Sequence, residues 1–146
     1  MKLSRIHSLL FAAVLPFPVV ADALEMPQPK PGLWEIRMQN AFDGAALTAK
    51  GSTQMCRDTA RARLEKMAEE SSKKDCSKYE VRKEGGKWIA NTVCKIDGST
   101  VRSLMTSEFN GENAYRVDTN STFDSPEDGH SRFRMVMDGK WLGPCK

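Results

Sequence analysis

The stretch Cys76-SKYEVRKEGGKWIANTV-Cys94 carries two of the chain's four cysteines and a Gly-Gly pair midway between them. Residues 76–84 and 87–96 both read as strands, and Gly85-Gly86 is a turn signal, so the segment predicts a β-hairpin. A two-residue turn at the glycines would set Glu84 opposite Lys87 and Cys76 opposite Lys95. A three-residue loop, with Gly86 left-handed, sets Lys83 opposite Lys87, Val81 opposite Ile89 and Cys76 opposite Cys94. The second register aligns both sulfurs and two apolar side chains, and is the one expected. The sequence thus predicts a Cys76–Cys94 staple with no chemistry of its own.

Four cysteines allow three connectivities, and with Cys76 and Cys94 joined, Cys56–Cys145 follows by elimination. There is no C-x-x-C, so neither a dithiol redox centre nor a zinc knuckle is indicated. An even cysteine count in a small domain reads as disulfides formed in an oxidising compartment. The N-terminus agrees. Lys2 and Arg5 precede an apolar run from Leu9 to Val20, and Ala21-Asp22-Ala23 is a small-x-small cleavage site. Residues 1–23 therefore read as a signal peptide cut between Ala23 and Leu24. The apolar run is too short to span a bilayer and contains Pro16 and Pro18, and nothing later is apolar for long enough. The expected mature protein is secreted, soluble and not membrane-spanning.

Residues 24–32 form a proline-rich extended lead-in, and residues 33–146 a single disulfide-stapled domain. Residues 33–40 alternate, with Trp34, Ile36 and Met38 on one face and Glu35, Arg37 and Gln39 on the other, which predicts a half-buried strand. A turn at FDGA leads to a second strand over 47–55. The period then changes. Ala60, Leu64, Met67 and Ala68 fall at helical spacing behind Asp58 or Thr59 as N-cap, predicting a helix whose apolar stripe packs on a sheet. After the stapled hairpin come strands over 99–109, 114–123 and 132–141, the last two separated by a loop at 124–131. The register between 101–109 and 114–123 stays open: a turn at Asn110-Gly111 opposes Tyr115 to Thr106, a longer loop opposes Met105 to Val117. The fold class is mainly β (α+β): an antiparallel meander of about seven strands, a curved sheet or incomplete barrel, with one helix after strand 2.

The 22 Lys and Arg against 19 Asp and Glu give a formal charge of +3. The signs are interleaved along the chain. A phosphate-binding surface would cluster its cations, so nucleic acid is not an expected partner. His130 is the only histidine left once His7 is removed with the signal. A triad would need a Ser or Cys nucleophile and a carboxylate beside it, and no nucleophile-elbow pattern surrounds any serine. No catalytic residue and no cofactor is assigned, and the chain does not read as an enzyme. One metal reading is available. Met135 and Met137, at i and i+2, point to one face, and with His130 they would suit Cu(I) in an exported protein. Alternation alone accounts for Phe133, Met135 and Met137 as a core stripe. Trp34, Trp88 and Trp141 can line a ligand cavity or simply fill the core. Asn120-Ser-Thr matches a glycosylation acceptor, relevant only in a eukaryotic secretory route.

KPGLWEI at the start of the domain, TQMCRD leading into the helix, the paired mid-chain cysteines and the closing KWLGPC together resemble the exported bacterial family known as domain of unknown function 3617. The resemblance covers nearly the whole mature chain. It implies a small bacterial periplasmic domain and carries over no activity, catalytic residue or binding residue. The functional expectation is a periplasmic accessory or binding domain, its partner an envelope protein or a small apolar ligand.

Overall fold

Gly85 and Gly86 both adopt positive φ, 53° and 86°, and Glu84 lies opposite Lys87. The stapled hairpin therefore closes with a two-residue turn, not the three-residue loop expected from the sequence. Two glycines accept left-handed backbone at both central positions, and that geometry matches strand twist best. Val81 consequently faces Ala90. The sulfurs still meet, because the register shifts by one between Cys76 and Lys78 and returns Cys76 to the level of Cys94. A bulge supplies the residue that the turn does not.

The computed structural model describes residues 26–146. The predicted signal segment 1–23, its Ala23/Leu24 cut and the start of the lead-in lie outside the described residues. The elements are β1 (Gly32–Phe42), β2 (Thr48–Arg57), α1 (Thr59–Lys73), β3 (Cys76–Glu84), β4 (Lys87–Ile96), β5 (Ser99–Asn110), β6 (Ala114–Glu127) and β7 (His130–Gly143). All seven strands form one antiparallel sheet in the order β2-β1-β7-β6-β5-β4-β3. The β3–β7 meander joins the β1–β2 hairpin through the pairing of β1 with β7. The edge strands β2 and β3 are consecutive in the chain, yet α1 carries the chain from one edge to the other.

Asp97-Gly98 and Asp128-Gly129 make two-residue turns of the same left-handed kind. The second of these replaces the loop expected at 124–131, so β6 and β7 extend to its tip. Between β5 and β6 a three-residue loop at 111–113 sets Asn110 opposite Ala114 and Phe109 opposite Tyr115. Neither alternative drawn from the sequence had that register.

The crossover forces the sheet to bend. Following the register from Arg57 across to β3, Cys76 lies about 13 residues, or ~40 Å, further along the strand direction. Six interstrand steps add about 29 Å sideways, so a flat sheet would hold the two residues ~50 Å apart. The helix covers only ~22 Å and its flanking residues about 17 Å more at full stretch. The sheet therefore twists and curls until its corners come within reach.

One face of the curled sheet carries Trp34, Ile36 and Met38 from β1 and Met135 and Met137 from β7. Tyr115 and Val117 from β6 and Val101 and Met105 from β5 share it. Trp34, Ile36, Ala90 and Val101 are buried. The other face is a charge ladder, in which Arg116 pairs with Asp138, Arg134 with Asp118 and Lys87 with Glu108. Val136, fully buried, sits on that face, opposite Asp118 and between these first two ion pairs.

Helix α1 starts at Asp58, whose carboxylate accepts from the Arg61 amide at 2.8 Å. Its orientation reverses the sequence expectation. Leu64 is 66 % exposed and Met67 61 %, and Ala60 and Ala68 are exposed with them. Half-buried instead are Ala62, Glu65, Glu69 and Lys73. The cause lies in the sheet: the Arg57 side chain, 8 % exposed, pairs with Glu65 at 2.8 Å, and the Tyr79 hydroxyl donates to Glu69. Leaving two-thirds of Leu64 and Met67 in water forgoes about 2–4 kcal/mol together, whereas leaving the buried guanidinium unpaired costs about 3–5. The polar face wins.

Candidate functional site

The inner face is not filled, and among the described residues clefts open on it at either end of β1. The first, of about 380 Å³, lies between β1, β2, β6, β7 and α1. Trp34, Ile36, Met38, Met55, Tyr115 and Met137 supply its apolar walls. Register explains the grouping: Met55 is opposite Trp34, and Tyr115 and Met137 lie on the next strands of the same face. The Trp34 and Tyr115 rings sit 5.4 Å apart. Trp34 donates its indole N–H to the Lys30 carbonyl at 2.9 Å, which ties the proline-rich lead-in across the cleft mouth.

Arg57 closes one end. Its Nε meets Glu65, Nη1 donates to the Pro29 carbonyl and Nη2 reaches Gln28 Oε1 at 3.3 Å. One guanidinium thus joins β2, the helix and the lead-in. Tyr115 forms the floor because β7 offers Gly139 opposite it; a Cβ there would lie 2.3 Å from the ring. The Tyr115 hydroxyl approaches Met137 Sδ at 3.8 Å. Burial, with the Glu65 carboxylate adding to it, pushes the Tyr115 phenol above its ordinary value.

The second cleft, about 450 Å³, is at the opposite end of β1 and β7 and is lined by Phe42, Phe123, Phe133, His130, Glu127 and Asp128. Phe42 and Phe133 are direct cross-strand partners with rings 5.2 Å apart. His130 stacks on Phe42 at 4.4 Å. Asp43 holds the histidine through a 2.8 Å contact between Oδ2 and Nδ1, while its Oδ1 accepts the amides of Ser131 and Arg132, each at 3.0 Å. The hydrogen bond to His130 and the two backbone donors hold the Asp43 carboxyl below the usual carboxylate range.

The residues named from the sequence are dispersed between these places. Met135 and Met137 share a face, as alternation requires. His130 lines the second cleft and Met137 the first, about 23 Å apart along an extended strand. Met135 is ~16 Å along the strand from His130, beyond what two side chains reach to hold one ion. The Cu(I) set of His130, Met135 and Met137 is therefore not assembled. Among the described residues no group of three His, Cys, Asp or Glu side chains is placed to hold a metal. Of a hydrolase triad the structure joins two members, His130 and Asp43, and Ser131 meets Asp43 through its amide rather than its hydroxyl.

Trp34 lines the first cleft, whereas Trp141 packs under the lead-in, with Lys30 Nζ 3.8 Å from its ring and its N–H on the Pro31 carbonyl. Trp88 stays on β4 beside Lys83. Asn120 is exposed and donates to Asp118. The sulfurs pair as Cys76–Cys94 and Cys56–Cys145. The second bridge clamps the C-terminus onto edge strand β2, behind the first cleft.

Sequence reasoning passed over Arg57, Glu65, Tyr115 and Asp43. An arginine directly after Cys56 on an otherwise apolar-facing strand end was the available signal for the first two. Asp43 read only as a turn residue.

These features define a small antiparallel β-sheet domain with an edge-to-edge crossover helix, two disulfides and clefts on its inner face. Residues 29–145 match the family described as Protein of unknown function (DUF3617), and the chain belongs to that family. No curated protein and no solved structure matches the chain. Among the described residues no helix is long and apolar enough to cross a membrane.

Proposed function

We propose that the mature domain is a periplasmic, non-catalytic binding domain that seats a small apolar molecule in the first cleft. The carrying observation is the unfilled space itself: about 380 Å³ walled by Trp34, Ile36, Met38, Met55, Tyr115 and Met137. That volume falls in the range of ligand pockets, and apolar walls with one polar end are their usual composition. The Arg57–Glu65 pair supplies the polar end, though its donors are already engaged within the chain. Affinity would thus come from apolar contact and orientation from the polar end. A protein partner was the other expectation from the sequence; an apolar cleft of this volume favours the smaller occupant.

Native mass spectrometry of protein released gently from the periplasm tests the reading. A carried molecule of a few hundred daltons is expected, lost on organic extraction and replaced by a naphthylamine probe that quenches or shifts Trp34 emission. Met38→Trp, which places a ring in the cleft, should abolish probe uptake. Protein that carries nothing and takes up no apolar probe, or a Met38→Trp variant that binds unchanged, refutes it. The compartment is checked separately, by fractionation and by an intact mass beginning at Leu24.

A further inference from the structure

The second cleft has a composition that the first lacks. Three phenylalanine rings and an imidazole surround it, and its remaining lining is two carboxylates, Glu127 and Asp128, with no lysine or arginine among the lining residues. Neither carboxylate has a hydrogen-bond or ion-pair partner among the described residues. Arg132, two residues along β7 from His130, turns its Nη2 to the Asp43 carbonyl at 3.1 Å. Asp43 spends its own carboxylate on His130 and two amides. What remains facing the cleft is aromatic surface and negative charge.

An aromatic ring presents a negative face, and a cation within about 6 Å of its centroid is attracted to it. A compact, hydrated ion gains little here, since the rings offer no oxygen ligands. A bulky cation whose charge is spread over alkyl groups loses little hydration and meets several rings at once. The cleft, at about 450 Å³, is large enough for such a group. We propose that it is a binding site for an organic cation of the quaternary ammonium class. Phe42, Phe123 and Phe133 form the cage and Glu127 and Asp128 set the sign of the charge.

The fold prepares this arrangement. Phe42 and Phe133 are paired across β1 and β7. Phe123 projects from the same face of β6, and the tight Asp128-Gly129 turn, with φ of 48° and 82°, brings Glu127 and Asp128 to the rim. Asp43 fixes the His130 ring flat against Phe42, so one wall of the cage is set before any ligand arrives.

The test compares choline with 3,3-dimethylbutan-1-ol, its uncharged carbon isostere, by NMR titration of the oxidised mature protein. Choline should give saturable shifts of the His130 and phenylalanine ring resonances while Trp34 stays unmoved, with affinity at least about tenfold above the isostere. The double variant Glu127→Gln/Asp128→Asn keeps the turn, because Asn tolerates left-handed backbone, and should weaken choline about threefold or more. Phe133→Leu should weaken it by a similar factor. Equal binding of both compounds, shifts centred on Trp34, an unchanged double variant, or no saturable shift up to about 100 mM choline would each overturn the proposal.

Discussion

The inside-out helix makes the sharpest energetic claim. Leu64 and Met67 are 66 % and 61 % exposed, so only about a third of each side chain leaves water. Full burial of such a residue contributes about 1.5–3 kcal/mol, and a third of that is about 0.5–1. Alanine is also the better helix former by a few tenths of a kcal/mol, which offsets part of the loss. Leu64→Ala/Met67→Ala should therefore cost about 0.5–1.5 kcal/mol in total. Arg57→Ala is a different matter. It removes a buried guanidinium that holds Glu65, the Pro29 carbonyl and Gln28 together. Glu65 is 39 % exposed and can rehydrate, which brings the cost below that of a fully buried pair, to about 2–3 kcal/mol. Urea unfolding of the oxidised mature domain reads both. With m of ~1.5 kcal/mol/M, Arg57→Ala lowers the midpoint by about 1.3–2 M and the helix double variant by about 1 M at most. Amide exchange should show α1 deprotected in Arg57→Ala alone. A loss above about 2 kcal/mol in the double variant, as for buried leucines, would mean that the apolar stripe faces the sheet and that the account of α1 is wrong.

Three further outcomes follow from the fold. Replacing Cys76 and Cys94 by Ala reopens a loop of 18 residues' separation and should cost about 3 kcal/mol by chain entropy, read as a lowered urea midpoint with exchange first increased in edge strand β3. Gly139→Ala drives a methyl into the Tyr115 ring and should cost about 1–3 kcal/mol; in a Tyr115→Ala background most of that penalty should vanish, which a double-mutant cycle measures. Acid sensitivity has a defined sign. The Arg134 partner of Asp118 and the Lys73 partner of Glu69 hold these carboxyls below their ordinary values of 3.8 and 4.5. With folded pKa values depressed, their stabilisation is present above those ordinary values and lost as pH falls through the lower folded ones, so the urea midpoint should drop only below about pH 4.5. A midpoint that instead falls steadily from pH 7 to 5 would contradict it.

The parts of this fold legible in the sequence are those written in local periodicity. Alternation at Trp34-Ile36-Met38 and at Phe133-Met135-Met137 places each residue on its correct face, because side-chain direction in a strand depends only on parity. The helix span was equally plain. Register was less so, since one extra residue at a turn or bulge slides a whole strand: Gly85-Gly86 closed with two residues, and the bulge after Cys76 restored the cysteine pairing by another route. The helix face was misread for a physical reason. Hydrophobic spacing assumes that the surface awaiting a helix is apolar, and here it contains Arg57 and Tyr79, which call for carboxylates. The clefts were invisible because their walls come from strands far apart in sequence; Phe42 and Phe133 are neighbours only through the pairing of β1 with β7.

The first cleft and the exposed stripe of α1 have a single origin. A sheet curled this tightly leaves a concave face that a crossover helix ordinarily fills with leucine and methionine. Here the chain has both residues in the helix and turns them outward, presenting Ala62, Glu65 and Glu69 to the sheet. Of these only Glu65 lines the cleft whose floor is Tyr115 and Met137, and about 380 Å³ stays open beside it. The apolar area forgone on Leu64 and Met67 is comparable with what filling the cleft would have gained. A domain selected for stability alone would roll the helix by roughly half a turn and lose Arg57. That it keeps the arginine, and with it an unfilled apolar cleft beneath a helix dressed in carboxylates, is the strongest physical ground for treating the cleft as the reason for the arrangement.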